Sequence, residues 1–187
     1  MSAARHIPNA LTVLRLLLVP PIAWAILHGE YRSAFWLFFL AGFSDGLDGF
    51  LARWFGWQSR LGALLDPIAD KSLMIVAFYC ISWQGLIPWW LFAAVLARDL
   101  VILGGALAYQ FVTRALRMEP LLVGKLNTLL QILLVLAVLT HAAYGVLSPA
   151  LLWALVLAML ASTLVSGVTY VWVWSRKAIA HHRRSAA

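Results

Sequence analysis

Long apolar runs make up most of this chain, and the few polar positions interrupt them at regular intervals. Stretches long enough to cross a bilayer, at about 20 residues each, lie near residues 10–28, 34–54, 62–83, 88–112, 124–142 and 149–174. Short connections carry turn-forming residues: His28-Gly29-Glu30, Gln84-Gly85 and Gly145 to Pro149. Six such stretches use up the chain. The pattern therefore predicts a single all-α integral membrane domain over residues 1–187, with six transmembrane helices and no separate soluble domain. The sequence holds no internal repeat, low-complexity segment or long linker.

Composition strengthens this reading. The 187 residues are 64% hydrophobic and 11% charged, with a mean hydropathy of +0.89, which suits a bilayer better than a soluble core. Arg5 followed by an apolar run and Ala23-Trp24-Ala25 imitates a signal peptide, but Arg15 interrupts the run and five more spans follow, so the segment is expected to stay as the first helix. Ser2 to Pro8 forms at most a short interfacial stretch. One cysteine, Cys80, excludes an intrachain disulfide.

Charge sets the expected orientation. The six-span assignment places Arg5, Arg15, Arg53, Arg60, Lys71, Arg114, Arg117, Lys125, Arg176, Lys177, Arg183 and Arg184 at or near one face, and Arg32 near the other. The basic face is expected in the cytoplasm, with both termini inside and the protein multi-pass in the cytoplasmic membrane. The net charge of +7 then points to anionic lipid headgroups rather than nucleic acid.

Against this background four carboxylates stand out. Asp45, Asp48, Asp66 and Asp70 are four of the seven acidic residues and fall within 26 positions of apolar sequence. A charge at bilayer depth costs several kcal/mol, so such acids imply function and call for a shared cation. Spacings of three and four put each pair on one helix face, and two antiparallel helices facing each other would bring four oxygen ligands together. Oxygen-only ligation favours Mg²⁺ or Mn²⁺; Cys80 and five scattered histidines offer no zinc-like cluster. Gly42, Gly46, Gly49, Ala52, Gly62, Ala63 and Ala69 leave room beside the acids, although for Gly42 and Gly46 alone helix packing is the readier explanation. Arg53 adds a guanidinium suited to a phosphate oxygen. The set describes a pyrophosphate site in a polar cavity, open to the cytoplasmic half of the bilayer. Pro67 either kinks the third helix or simply packs near its start.

The segment Asp45-x-x-Asp48-Gly49-x-x-Ala52-Arg53, eight residues, Gly62-x-x-x-Asp66-x-x-x-Asp70 resembles the signature of the CDP-alcohol phosphatidyltransferases without departure. The opening Ile7-Pro8-Asn9-x-Leu11-Thr12-x-x-Arg15 and the later Gly124-Lys125-x-Asn127-Thr128 are similar to family features as well. The resemblance implies transfer of a phosphatidyl group from CDP-diacylglycerol to an alcohol, with release of CMP. It implies Asp45, Asp48, Asp66 and Asp70 as ligands of two metal ions, and Asp70 as the base that takes the hydroxyl proton. It places Gly49, Ala52, Arg53 and Gly62 around the CDP moiety, and it implies a homodimer. Ser59 is expected to be a solvated loop serine rather than a ligand contact.

For the acceptor, Arg98 and Lys125 are the candidate cations, with Arg98 expected to line the pocket rather than merely pair with Asp99. Lys125 binds an acceptor phosphate or snorkels to headgroups; Thr12 and Arg15 are weaker candidates for the same pocket. Synthases of phosphatidylglycerol phosphate typically carry further cations where Gly104 and Asn127 stand here. That difference favours phosphatidylglycerol, a singly charged diester, ahead of glycerol 3-phosphate as acceptor. Inositol phosphate, serine and choline have less support. A divalent-cation transporter is the non-enzyme alternative, but it needs polar groups leading to both faces, and the acids cluster toward one.

Overall fold

The predicted stretches all form helices in the computed structural model: α1 (Ile7–Leu27), α2 (Tyr31–Phe55), α3 (Arg60–Trp83), α4 (Trp89–Thr113), α5 (Leu122–Tyr144) and α6 (Pro149–Ser185). The structure describes residues 7–55, 60–113 and 122–185, with side chains for 12–44, 68–105 and 122–176; the described residues include no strand. Helix α6 has 37 residues, roughly 55 Å of helix, and outlasts the expected 149–174 stretch. The apolar residues end near Trp174, but Arg176, Lys177, Ala178, Ile179 and Ala180 contain no helix breaker, so hydropathy stops before helix propensity does. Among the described residues, Leu122–Tyr144 and Pro149–Arg176 are the two helices long and apolar enough by themselves to cross a membrane, and Thr12–Leu27 is a shorter apolar helix.

Three of the connections are tight and lie together. Gly29 and Gly85 adopt φ of 75° and 71°, a left-handed conformation that glycine takes without a Cβ penalty. Each closes its helix with a paired cap: Glu30 N–H donates to Ala25 O and Gly29 N–H to Ile26 O, as Leu86 and Gly85 do to Ile81 and Ser82. Gly145, at φ 67°, ends α5 through a single bond from its N–H to His141 O. Ser148 then starts α6, its Oγ accepting from Leu151 N–H at 3.2 Å, with Pro149 in the first turn. Side chains tie these turns to one another. Gln84 Nε2 donates to Ile26 O and Leu27 O, both at 2.8 Å, and Arg32 Nε donates to Ala143 O while its guanidinium lies over the Tyr144 ring.

In the bundle, α1 packs on both α2 and α3, α6 packs on both α4 and α5, and α2 against α5 joins the two groups. Helices α2 and α3 both lie on α1; the motif stretches expected to face each other lie almost wholly outside the residues whose side chains are described. Each helix changes character along its length. The half nearest the tight turns is filled by Ile22, Ile26, Phe38, Phe78, Leu134 and Met159 with their neighbours. Toward the other end, five of the six helices bury described polar groups: Thr12 and Arg15 on α1, Ser44 on α2, Arg98 on α4, Asn127 and Gln131 on α5, Thr163 and Ser166 on α6. Outward positions are apolar, as in Leu17, Phe43, Val168 and Trp172, each more than half exposed. So large an exposed apolar surface suits lipid, not water.

Candidate active site

The motif carboxylates are divided between two helices. Asp45 and Asp48 lie on α2, and Asp66 and Asp70 on α3, so the helical spacing read from the sequence is realised in the backbone. The side chains of Asp45, Asp48, Gly49, Ala52, Arg53, Gly62, Asp66 and Pro67 lie outside the described residues, as does Ser59. Asp70 is described, and it has a partner from far along the sequence. Arg15 Nη1 of α1 forms an ion pair with Asp70 Oδ1, across 55 positions. The Arg15 side chain is wholly buried, whereas that of Asp70 is 48% exposed. Arg15 is thus neither an interface arginine nor a loose pocket member; it anchors the carboxylate, which keeps an accessible flank.

A second charged group lies beside the first. Lys71, the neighbour of Asp70, pairs with Asp99 Oδ2 on α4, and Asp99 Oδ1 accepts from Arg98 Nη1 at 2.8 Å. Arg98 also donates from Nε to Ser166 Oγ on α6 at 3.0 Å and from Nη2 to the same oxygen, and it lies over the Tyr170 ring at 5.7 Å. Arg98 does both of the things the sequence set as alternatives: it pairs with Asp99 while buried against α6, and it borders the space between α4 and α6. A charge at this depth needs a counter-ion and hydrogen bonds, and Asp99 and Ser166 supply both.

The positions read as acceptor discriminators fall elsewhere. Gly104 is exposed, with open space where a side chain would begin. Six residues of helix turn it about 120° away from Arg98, so its lack of charge says little about the pocket around Arg98. Gly105, on the Arg98 face, is packed against Trp174 instead. Asn127 is fully buried, and its Oδ1 accepts from Ser162 and lies within reach of Thr163 on α6. It joins helices rather than replacing a pocket cation. Lys125 is exposed, and Thr12 is buried in the polar layer with Arg15. Sequence reasoning missed Ser166 and Tyr170, because a serine and a tyrosine in an apolar helix carry no local signal of an arginine 68 positions away.

A model of the family described as CDP-alcohol phosphatidyltransferase matches residues 5–164, most of the chain. The chain belongs to the CDP-alcohol phosphatidyltransferase family. Among similar proteins, cardiolipin synthase (CMP-forming) of Rattus norvegicus is 33% identical over 155 residues, covering 74% of this chain and 51% of that protein. The chloroplastic CDP-diacylglycerol–glycerol-3-phosphate 3-phosphatidyltransferase 1 of Oryza sativa is 32% identical over 187 residues, 88% of this chain and 57% of that protein. A CDP-diacylglycerol–glycerol-3-phosphate 3-phosphatidyltransferase of Cereibacter sphaeroides is 41% identical over 105 residues, 52% of this chain and 48% of its own. The chain spans about half the length of these relatives.

The donor set of this phosphatidyltransferase-family chain fits a divalent cation. All four motif groups are carboxylates, the hard oxygen ligands that Mg²⁺ and Mn²⁺ prefer. The flank that Asp70 leaves accessible suits a group that also touches a ligand.

Proposed function

We propose that this protein transfers the phosphatidyl group of CDP-diacylglycerol to a glycerol-type alcohol and releases CMP. The observation that carries the reading is the separation of each helix into an apolar half and a polar half, with Asp70 of the family motif anchored by Arg15 in the polar half. A cavity in that half, open at its end, would admit a nucleotide from the aqueous side and acyl chains from the bilayer. A transport path would need polar groups to both ends. Between the turns and Arg98, near the middle of α4, Ser82 is the one buried polar residue among those described, so the transporter alternative gains no support there.

In this reading the acceptor hydroxyl oxygen forms a bond to the β-phosphorus, the phosphorus that carries the diacylglycerol. The bond from that phosphorus to the oxygen bridging it to CMP breaks, CMP leaves with the electron pair, and the hydroxyl proton passes to Asp70. The ion pair with Arg15 requires Asp70 as carboxylate, the form that accepts a proton. Asp45, Asp48, Asp66 and Asp70 would hold two Mg²⁺ or Mn²⁺ ions, whose chemistry is to offset charge on the diphosphate and the departing oxygen. Arg53 grips the diphosphate, while Gly49, Ala52 and Gly62 give the cytidine and diphosphate room. Arg98 serves the acceptor phosphate, while Lys125, exposed at the start of α5, snorkels to the lipid headgroups.

Phosphatidylglycerol is the preferred acceptor in this proposal. The relatives named cardiolipin synthase favour it, and so does a single surplus positive charge among Lys71, Asp99 and Arg98. Glycerol 3-phosphate is the second reading, favoured by the relatives named as glycerol-3-phosphate 3-phosphatidyltransferases. We further place the protein as a six-span homodimer in the cytoplasmic membrane, termini inside, in keeping with the basic residues toward one face and the apolar outer surface. The test is CMP release by purified protein in vesicles containing CDP-diacylglycerol, with phosphatidylglycerol or glycerol 3-phosphate added, with and without EDTA. Release that is faster with phosphatidylglycerol and abolished by EDTA is expected. Release with glycerol 3-phosphate alone would reverse the acceptor order, and no release with either would remove the assignment.

A further inference from the structure

Between α4 and α6 runs a groove of about 550 Å³. Ala94, Ala97 and Val101 line it from α4, and Gly167, Val168 and Val171 from α6. In lipid, small residues facing each other usually let two helices close tightly; α4 and α6 do pack together, and their small side chains leave an apolar channel along the outer seam. Its one charged lining residue is Arg98, whose Cγ would lie 3.7 Å from a Cβ at Gly167. The channel is therefore tied to the active site: Arg98 binds Asp99, Asp99 binds Lys71, and Lys71 adjoins Asp70.

We infer that this groove receives an acyl chain of a lipid-borne acceptor whose phosphate is a singly charged diester. Two features select that occupant. Lys71 and Arg98 against Asp99 leave one positive charge in surplus, which matches a phosphodiester and falls short of a phosphate monoester. Arg98 uses three of its five N–H groups on Ser166 and Asp99, which leaves two for a phosphate oxygen. A water-soluble acceptor would leave the apolar channel without a role, whereas a membrane lipid fills it and brings its headgroup to Arg98. The inference rests on the phosphatidyltransferase reading and adds the route and class of the acceptor.

Ala97→Phe tests it, because Ala97 is an exposed lining residue whose enlargement fills the channel without displacing core. CMP release would be compared between dioleoyl-phosphatidylglycerol and dihexanoyl-phosphatidylglycerol, whose chains are too short to fill the groove. The long-chain to short-chain ratio of kcat/KM is expected to fall about 10-fold or more in Ala97→Phe, from lost burial of chain methylenes. It should stay unchanged in Leu133→Phe, on the outer face of α5. Native mass spectrometry reads binding without turnover: wild type should retain dioleoyl-phosphatidylglycerol through detergent and Ala97→Phe should lose it. An unchanged ratio, or equal retention, overturns the inference. So does a changed oligomeric mass in Ala97→Phe, which would make the groove an interface between copies. Absent CMP release with normal lipid retention would instead defeat the enzyme reading and leave the groove as a lipid site.

Discussion

A guanidinium with no exposed surface facing a carboxylate that is half exposed forms an asymmetric pair, in which Arg15 is fixed and Asp70 stays accessible. Removing the buried partner leaves the Asp70 charge uncompensated, and because water reaches that carboxylate the cost falls below the roughly 3–5 kcal/mol of a fully buried pair. Arg15→Ala should therefore lower both the melting temperature in detergent and the rate of CMP release, and Arg15→Lys should recover only part of each, because a point charge does not reproduce the planar fork. Asp48→Asn and Asp66→Asn should each lose most turnover together with CDP-diacylglycerol binding. Asp70→Asn should lose turnover but retain more donor binding, if proton acceptance is its main task. Equal loss of binding in all three, by equilibrium binding of labelled donor, would make Asp70 a ligand alone. The four carboxylates were legible because their spacing is local and their cost at bilayer depth is high. Arg15 was legible as a basic residue in a span, but its partner was not, since nothing in a local pattern points across 55 positions.

Helices depend on small residues where others cross them. A Cβ at Gly105 would run into the Trp174 ring, and one at Gly124 would lie 2.7 Å from Tyr170 Oη. Gly105→Ala should destabilise by about 1–3 kcal/mol, through a forced shift of the indole. Gly104→Ala meets open space and should hold or raise stability, since glycine inside a helix costs about 0.5–1 kcal/mol against alanine. Thermal melts of both variants check the contrast, and equal behaviour would contradict the packing. Tyr170 connects these elements, lying under Arg98 and against Gly124. The turn glycines were readable, because a left-handed residue between two apolar runs has few alternatives. The end of α6 was not, because apolarity marks where a bilayer stops and not where a helix does.

At the scale of the whole molecule, the division into an apolar half and a polar half predicts an orientation that labelling can test. With Cys80, which is buried, replaced by Ala, a cysteine at Ser148 in the α5–α6 turn should react with an impermeant maleimide only from outside intact cells. A cysteine at Arg176 should react only after the membrane is opened, and the reverse pattern would invert the topology. Native mass spectrometry in mild detergent or nanodiscs should show a dimer; a monomer under every lipid condition would count against it. By itself the sequence determined the number and order of the helices, the all-carboxylate make-up of the motif and the family, because hydrophobic runs, turn residues and a motif of set spacing are all properties of neighbours along the chain. Only the tertiary structure decided that Arg15 anchors Asp70, that Arg98 is held by Asp99 and Ser166, and that Asn127 binds helices together. It also turned Gly104 away from Arg98 and opened the groove beside it. Those facts depend on how one helix is rotated against another, and that rotation is set by packing summed over the bundle rather than by any short stretch of residues.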